Sequence, residues 1–66
     1  MQTIIEQLTG GLITEHEARN AIGGRTGRVV GVTRLINGFV QVYDYASGLR
    51  ACYNQDGTKR HGDLVL

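Results

Sequence analysis

The sequence predicts a small α+β domain in which two short N-terminal helices precede an antiparallel meander of four or five strands. Helix-capping patterns recur within the first 23 residues, apolar residues alternate with a period of two from residue 28 onward, and glycine-containing turns separate the short apolar runs. A chain of 66 residues has room for one domain. We divide it into a helical segment 1–23, a glycine-rich linker 24–27 and a β-meander 28–66.

Each predicted helix begins with a threonine that is followed three residues later by a glutamate. Thr3 precedes Glu6, and Thr14 precedes Glu17. In this capping box the hydroxyl accepts from the backbone N–H of the glutamate, and the carboxylate accepts from the backbone N–H of the threonine. We therefore expect one helix to start after each threonine.

The second helix is expected to span about residues 15 to 22 and to end at Gly23, because glycine adopts the left-handed conformation of a helix C-terminus easily. Isolated helices shorter than about 12 residues are marginal in water, so both helices must dock on the rest of the chain. The inward-facing residues of the second helix are predicted to be Ala18, Ala21 and Ile22.

A hairpin is predicted between residues 28–36 and 39–45, because Asn37-Gly38 separates these two β-rich runs. Asn-Gly favours a two-residue type I′ turn, and such a turn fixes the register of the strands and hence their faces. The predicted opposite pairs are Ile36 with Phe39, Arg34 with Gln41, Val32 with Tyr43 and Val30 with Tyr45, and these eight residues are predicted to share one face.

The later strands are predicted from the turns between them. A three-residue turn at 46–48, with Gly48 left-handed, leads into a strand from about Leu49 to Tyr53 and places Tyr45 opposite Leu49 and Asp44 opposite Arg50. Turns at 54–57 and 62–63 then delimit a basic strand at 58–61 and a last short strand at 64–66.

Both faces of the predicted sheet carry apolar residues, so one flat sheet would leave apolar surface in water. It must either curl into a small barrel or cover one face with the helices and the other with a partner. Gly31, in the middle of a strand, allows a bend at a barrel corner. We predict a small barrel whose architecture is similar to SH3-like or Sm-like barrels, a similarity that rests on no sequence motif.

The composition argues against a disulfide-rich secreted scaffold and against a membrane protein. The single cysteine, Cys52, cannot form a disulfide within the chain, which favours a reducing compartment and a cytoplasmic location. No apolar run exceeds three residues, so we expect no membrane segment and no signal-peptide core. The net charge of +1 conceals an asymmetry, since residues 1–18 carry −3 and residues 19–66 carry +4.

No constellation of residues predicts catalysis, so we expect a protein that is not an enzyme and uses no cofactor or metal. His16 lies between two glutamates in the first turn of the second helix, where a surface role is expected. His61 and Asp63 could form a general-base pair, but they fall in a turn-rich segment. Cys52 has the sequence environment of a small core residue, and the histidines and cysteine lack the spacing of a zinc site.

The favoured function is binding of single-stranded nucleic acid through an aromatic and basic face of the sheet. Tyrosine rings stack on exposed bases, and arginine and lysine neutralise phosphates. The predicted contact residues are Arg34, Tyr43, Tyr45 and Gln41, with Arg28, Lys59 and Arg60 extending the phosphate track.

The alternative is a protein-interaction regulator or inhibitor, which acts through sheet edges or a sheet face and includes the case of a homo-oligomer. Apolar residues on both faces of a small sheet favour a protein partner or self-association. Because tyrosine and arginine anchor both kinds of interface, the sequence leaves the two functions open.

Overall fold

The computed structural model describes residues 2–66 and confirms the α+β fold. Helix α1 spans Ile4–Thr9 and helix α2 spans Glu15–Thr26, and both begin with the predicted capping boxes. At α2 the Thr14 hydroxyl accepts from the Glu17 backbone N–H at 3.1 Å, and the Glu17 carboxylate accepts from the Thr14 N–H at 3.0 Å. No helix among these residues has the length and apolar character that crossing a membrane requires.

Helix α2 continues one turn beyond its predicted end at Gly23. Gly27, with φ at 72°, is the left-handed residue that ends it, and its N–H donates to the Gly23 carbonyl at 2.9 Å. The predicted linker 24–27 is therefore the last turn and cap of the helix. Ala18 and Ile22 face the core as expected, whereas Ala21 is exposed.

The four strands form one antiparallel sheet in the order β1-β2-β3-β4. Their bounds are Val30–Arg34, Val40–Asp44, Arg50–Tyr53 and Lys59–Gly62. The predicted barrel is wrong, because β1 and β4 are opposite edges and the sheet does not close. Residues 64–66 form no strand. Leu64 is fully buried in the core, so the C-terminal tail covers part of the apolar face that would line the interior of a closed barrel.

The first hairpin is shifted by one residue from the predicted register. Its loop contains three residues, because the Leu35 N–H donates to the Phe39 carbonyl at 2.7 Å and the Gly38 N–H donates to the Leu35 carbonyl at 3.0 Å. Gly38 has a φ of 80°, but no non-glycine residue among those described has positive φ, which rules out a type I′ turn at Asn37. Val32 therefore lies opposite Val42, and Arg34 lies opposite Val40.

The second hairpin is also shifted by one residue, because its loop contains four residues and not three. Gly48 is left-handed as predicted, but Asp44 lies opposite Leu49, to whose carbonyl its N–H donates at 2.8 Å. Tyr43, and not Asp44, is the partner of Arg50. The predicted pairing of Asp44 with Arg50 is therefore wrong.

Burial on one face of the sheet explains both shifts. With four valines facing the helices, the apolar side chains of β1 and β2 are removed from water together. This covered face packs against α1, α2 and the C-terminal tail. Its core consists of Ile5, Leu8, Ala18, Ile22, Val30, Val32, Val40, Val42, Ala51, Tyr53 and Leu64.

Candidate nucleic-acid interface

The opposite side of the sheet, which we call the open face, carries three of the protein's four aromatic residues. Helices and tail lie on the other side, so this face meets solvent. Its residues form four rows across the strands: Val29 and Tyr45; Gly31, Tyr43 and Arg50; Thr33, Gln41, Cys52 and His61; and Leu35, Phe39 and Arg60.

Two tyrosines form an edge-to-face pair on the open face. The ring centroids of Tyr43 and Tyr45 are 5.3 Å apart and the ring planes are inclined by 69°. Tyr43 is 38% exposed and Tyr45 is 63% exposed. The hydroxyl end of the Tyr45 ring lies over Gly31. If residue 31 had a side chain, its Cβ atom would lie 2.5 Å from the Tyr45 hydroxyl oxygen. Because glycine has no Cβ atom, the Tyr45 ring can lie against the sheet at residue 31.

Two arginines reach the open face from different strands. Arg50 lies opposite Tyr43 on β3. Arg60 is the extra residue of a β-bulge, since Cys52 pairs with His61 and Tyr53 pairs with Lys59. The guanidinium carbon of Arg60 lies 4.2 Å from the centroid of the Phe39 ring, a cation–π distance. Neither arginine forms an ion pair within residues 2–66.

None of the residues in the four rows of the open face carries a carboxylate. Three of the acidic residues, Glu6, Glu15 and Glu17, belong to the helices. Asp44 points to the covered face, Asp56 lies in the turn between β3 and β4, and Asp63 directly follows β4, where its backbone N–H donates to the Arg50 carbonyl at 2.9 Å. Arg50 and Arg60 thus form no ion pair within residues 2–66, although Asp63 lies beside Arg50 in the chain trace.

Four of the seven predicted contact residues lie together on the open face: Gln41, Tyr43, Tyr45 and Arg60. The other three are held elsewhere. Arg34 turns towards the helices, where Nη2 donates to the Thr9 carbonyl at 3.5 Å, and Lys59 Nζ donates to the Leu64 carbonyl at 3.2 Å. The predicted grouping of Arg34 with the tyrosines is wrong because the hairpin register differs by one residue.

Arg28 is held by Asp44, which is only 2% exposed. Arg28 Nη1 donates to Asp44 Oδ2 at 2.7 Å, the Ser47 hydroxyl donates to the same oxygen at 2.8 Å, and the Ala46 N–H donates to Oδ1 at 3.0 Å. The Ser47 hydrogen bond, with those from Ala46 and Arg28, keeps the pKa of Asp44 below its ordinary value, although burial acts in the opposite direction. Arg28 therefore has a structural partner in this fold.

Sequence reasoning missed Arg50 and His61 as residues of this face. Both take their positions from pairings across strands, with Arg50 beside Tyr43 and His61 beside Cys52. If the loop that contains Asn37-Gly38 is taken to be three residues long, the sequence predicts correctly which residues of the first hairpin share a face. Nothing in the sequence marks the bulge that turns Arg60 outward.

A cleft on the helical side, away from the open face, is a second candidate site. It has a volume of about 630 Å³ and is lined mainly by apolar residues of α1 and the C-terminal tail, with Arg25, Tyr53 and Lys59 among its polar lining. Burial raises the pKa of Tyr53, and the Lys59 ammonium group is already bonded to a backbone carbonyl. The open face is the stronger candidate because its cations and rings are exposed together.

Within residues 2–66, no three His, Cys, Asp or Glu side chains lie close enough to hold a metal ion. Comparison with known proteins finds no matching family model, no similar curated protein and no similar solved structure. The function must therefore be inferred from the geometry of the open face.

Proposed function

We propose that this protein is a non-enzymatic binding module that holds single-stranded nucleic acid on the open face of its sheet. One observation supports the proposal above the others: exposed tyrosines share a sheet face with arginines that form no ion pair within residues 2–66. Stacking on rings and neutralisation of phosphates are the two interactions by which small sheets hold single strands. The free thiol of Cys52 supports the further proposal that the protein works in the reducing cytoplasm.

The geometry of the two tyrosines favours a single strand over a duplex. Because the ring planes are inclined by 69°, two bases that stack on Tyr43 and Tyr45 cannot be parallel to each other. Bases in a duplex are held in a parallel stack, whereas the bases of a single strand can turn apart. The ligand of this face is therefore a flexible strand whose bases are splayed.

The two arginines would neutralise about two phosphates, both on the side of the tyrosines towards β3 and β4. Each phosphate contact to a single strand contributes a slope of about −0.7 to the dependence of log K on log salt concentration. We therefore expect a slope of about −1.4 from Arg50 and Arg60 together. The cost of freeing Arg60 from the Phe39 ring is small, because an exposed cation–π contact contributes only about 0.5–1 kcal/mol.

The test is fluorescence anisotropy with labelled RNA and DNA strands of about eight nucleotides, at salt concentrations between about 50 and 200 mM. We expect binding that weakens with salt, that is lost in Tyr45→Ala, and that persists in Tyr45→Phe because the stacking ring remains. Absence of binding to both strands at the lowest salt concentration would refute the proposed function.

A matched pair of arginine variants separates the open face from general electrostatics. Arg50→Ala should weaken binding and reduce the salt slope by about 0.7, because it removes one phosphate contact. Arg19→Ala removes the same charge from the exposed side of α2 and should leave the slope unchanged. Equal effects of the two variants would show that the strand does not occupy the open face.

Protein interaction is a second candidate, and it is favoured by exposed apolar side chains near the first hairpin. Val29 is 74% exposed, Ile36 lies fully exposed in the β1–β2 loop, and β1 is an edge strand. Exposed apolar side chains at the two ends of an edge strand favour pairing with another chain, including a second copy. Light scattering distinguishes the cases: a dimer that Ile36→Asp disrupts supports self-association, and a monomer at all concentrations excludes it.

A further inference from the structure

A shallow groove of about 230 Å³ crosses the open face beside the tyrosine pair. Cys52 lies in it and is only 7% exposed, because its small side chain is recessed between larger neighbours. Leu35, Gln41, Arg50 and His61 also line the groove. The groove belongs to the row that follows Tyr43, so a strand whose base stacks on that ring would bring its next base over Cys52.

The lining of the groove suits a flat ring with a polar edge. Leu35 and Cys52 present apolar surface to the faces of such a ring. Gln41 offers an amide N–H₂ and a carbonyl oxygen, Arg50 offers guanidinium donors, and His61 offers a ring nitrogen. The volume lies below the range of about 300–1,000 Å³ that encloses drug-sized ligands, so the groove has space for one ring system only.

We propose that this groove is a subsite for one base of the bound strand and that it prefers guanine; this inference rests on the proposed function. Guanine presents the acceptors O6 and N7, to which an arginine donates in a bidentate manner. Its N1–H and N2–H₂ groups are donors, and the Gln41 carbonyl can accept from them. Adenine can pair with Gln41 through N6 and N7, but neither adenine nor cytosine presents the O6 and N7 acceptors to which the arginine fork donates in guanine.

The inference is tested with strands that differ at one position, so that overall charge and length are constant. A uridine strand of about eight nucleotides is compared with strands that carry one central guanosine, adenosine or cytidine. One bidentate pair discriminates between bases about 5-fold or more. We expect the guanosine strand to bind at least about fivefold more tightly than the other three.

Arg50→Lys is the decisive variant, because lysine keeps the positive charge but not the bidentate fork. In a guanosine strand Arg50 would donate to the base and not to a phosphate, so Arg50→Lys should lose the preference for guanosine and bring the affinity of that strand to that of the uridine strand. Cys52→Leu, which fills the groove, should also lose the preference while the uridine strand still binds. A change in the Leu35 methyl resonances with the guanosine strand and not with the uridine strand would locate the base in the groove.

The outcomes separate this inference from the proposed function. If the uridine strand binds and the guanosine strand binds no better, or if Arg50→Lys keeps the preference, the groove is not a base subsite and the proposed function stands. If no strand binds at all, both fail. Should Cys52→Leu not fold, the substitution of the exposed Arg50 still decides the question.

Discussion

A side chain at residue 31 should disturb binding without unfolding the protein, because it would displace the Tyr45 ring. A Cβ atom at this position would lie 2.5 Å from the Tyr45 hydroxyl oxygen, 3.1 Å from Cζ and 3.5 Å from Cε2. All three atoms belong to the outer part of an exposed side chain, which can swing away. Gly31 does not have positive φ, so alanine or valine fits the backbone.

The free energy of unfolding of Gly31→Val should remain within about 1 kcal/mol of the wild-type value. Replacing a glycine whose conformation other residues can adopt stabilises a protein by about 0.4–1 kcal/mol through the unfolded state. The loss of ring packing offsets part of this gain. Binding should respond more strongly, because stacking of one base on an aromatic ring contributes about 1–3 kcal/mol, or about 5- to 150-fold in affinity. We expect Gly31→Val to lose at least about fivefold.

Two measurements check this prediction independently. In NMR spectra, the ring current of Tyr45 should shift the Gly31 Hα resonances, and the shift should disappear in Tyr45→Leu. Anisotropy with a single strand should show weaker binding for Gly31→Val. Unchanged Gly31 resonances in Tyr45→Leu would disprove the placement of the ring, and wild-type affinity in Gly31→Val would disprove its role in binding.

Gly62→Ala is the matched control for a glycine with a purely structural role. Gly62 has a φ of 112°, and a Cβ atom there would meet the Arg50 backbone carbonyl and lie 2.6 Å from the Ala51 Cα. Backbone atoms cannot swing away, and the conformation itself is strained for alanine. We expect a loss of about 1–3 kcal/mol in the free energy of unfolding, measured by thermal or urea denaturation. A stable Gly62→Ala variant would contradict this description of the β3–β4 pairing.

Three further predictions concern the supports of the fold. Leu64→Ala should lower the free energy of unfolding by about 2–5 kcal/mol in urea denaturation, because the side chain is fully buried; an unchanged midpoint would show that the tail does not dock. Thr14→Ala should cost about 0.5–2 kcal/mol and reduce helical circular dichroism, since the α2 cap is lost, and an unaltered spectrum would contradict it. Because the pKa of Asp44 is lowered in the folded state, its stabilising contribution is complete above the ordinary pKa of 3.8 and is lost as the pH falls through the lowered value. Thermal unfolding of Asp44→Asn should therefore be less sensitive to acid than that of the wild type, and equal acid sensitivity would argue against this contribution.

Features that depend on neighbouring residues in the chain could be predicted from the sequence. Both capping boxes join groups only three residues apart, so Thr3 and Thr14 carry the signal themselves. The placement of Gln41, Tyr43 and Tyr45 on one face follows in the same way from alternation within a strand. A shift in the pairing of that strand changes its partners but leaves these three residues on a common face.

Features that depend on pairing between strands could not be predicted from the sequence. Asn37-Gly38 is compatible with a two-residue turn and with a three-residue loop that ends in a left-handed glycine. The difference of one residue exchanges the faces of β1 relative to β2, which separates Arg34 from the tyrosines. Burial of valines under the helices decides the register, and this is a property of the assembled core.

The end of α2 illustrates a related limit. Gly23, Gly24 and Gly27 can each adopt a left-handed conformation, so the local sequence offers three possible ends for the helix. The structure uses the last of them. A Cβ atom at Gly23 would lie 3.0 Å from the Arg28 carbonyl oxygen, so this glycine serves close approach of the chain and not termination.

The Asp44 carboxylate connects the stability of the covered face to the shape of the open face. It is buried on the side of the helices, yet it accepts hydrogen bonds from Ser47 and Ala46 in the loop that begins with Tyr45. The backbone of Tyr45 is held on its other side by the Val29 carbonyl, to which its N–H donates at 3.3 Å. The exposed ring therefore projects from a loop whose backbone is fixed on both sides. If the open face binds a strand as proposed, this arrangement lowers the backbone entropy that the loop would lose when Tyr45 stacks on a base, and the buried acidic residue would then support binding from the other side of the sheet.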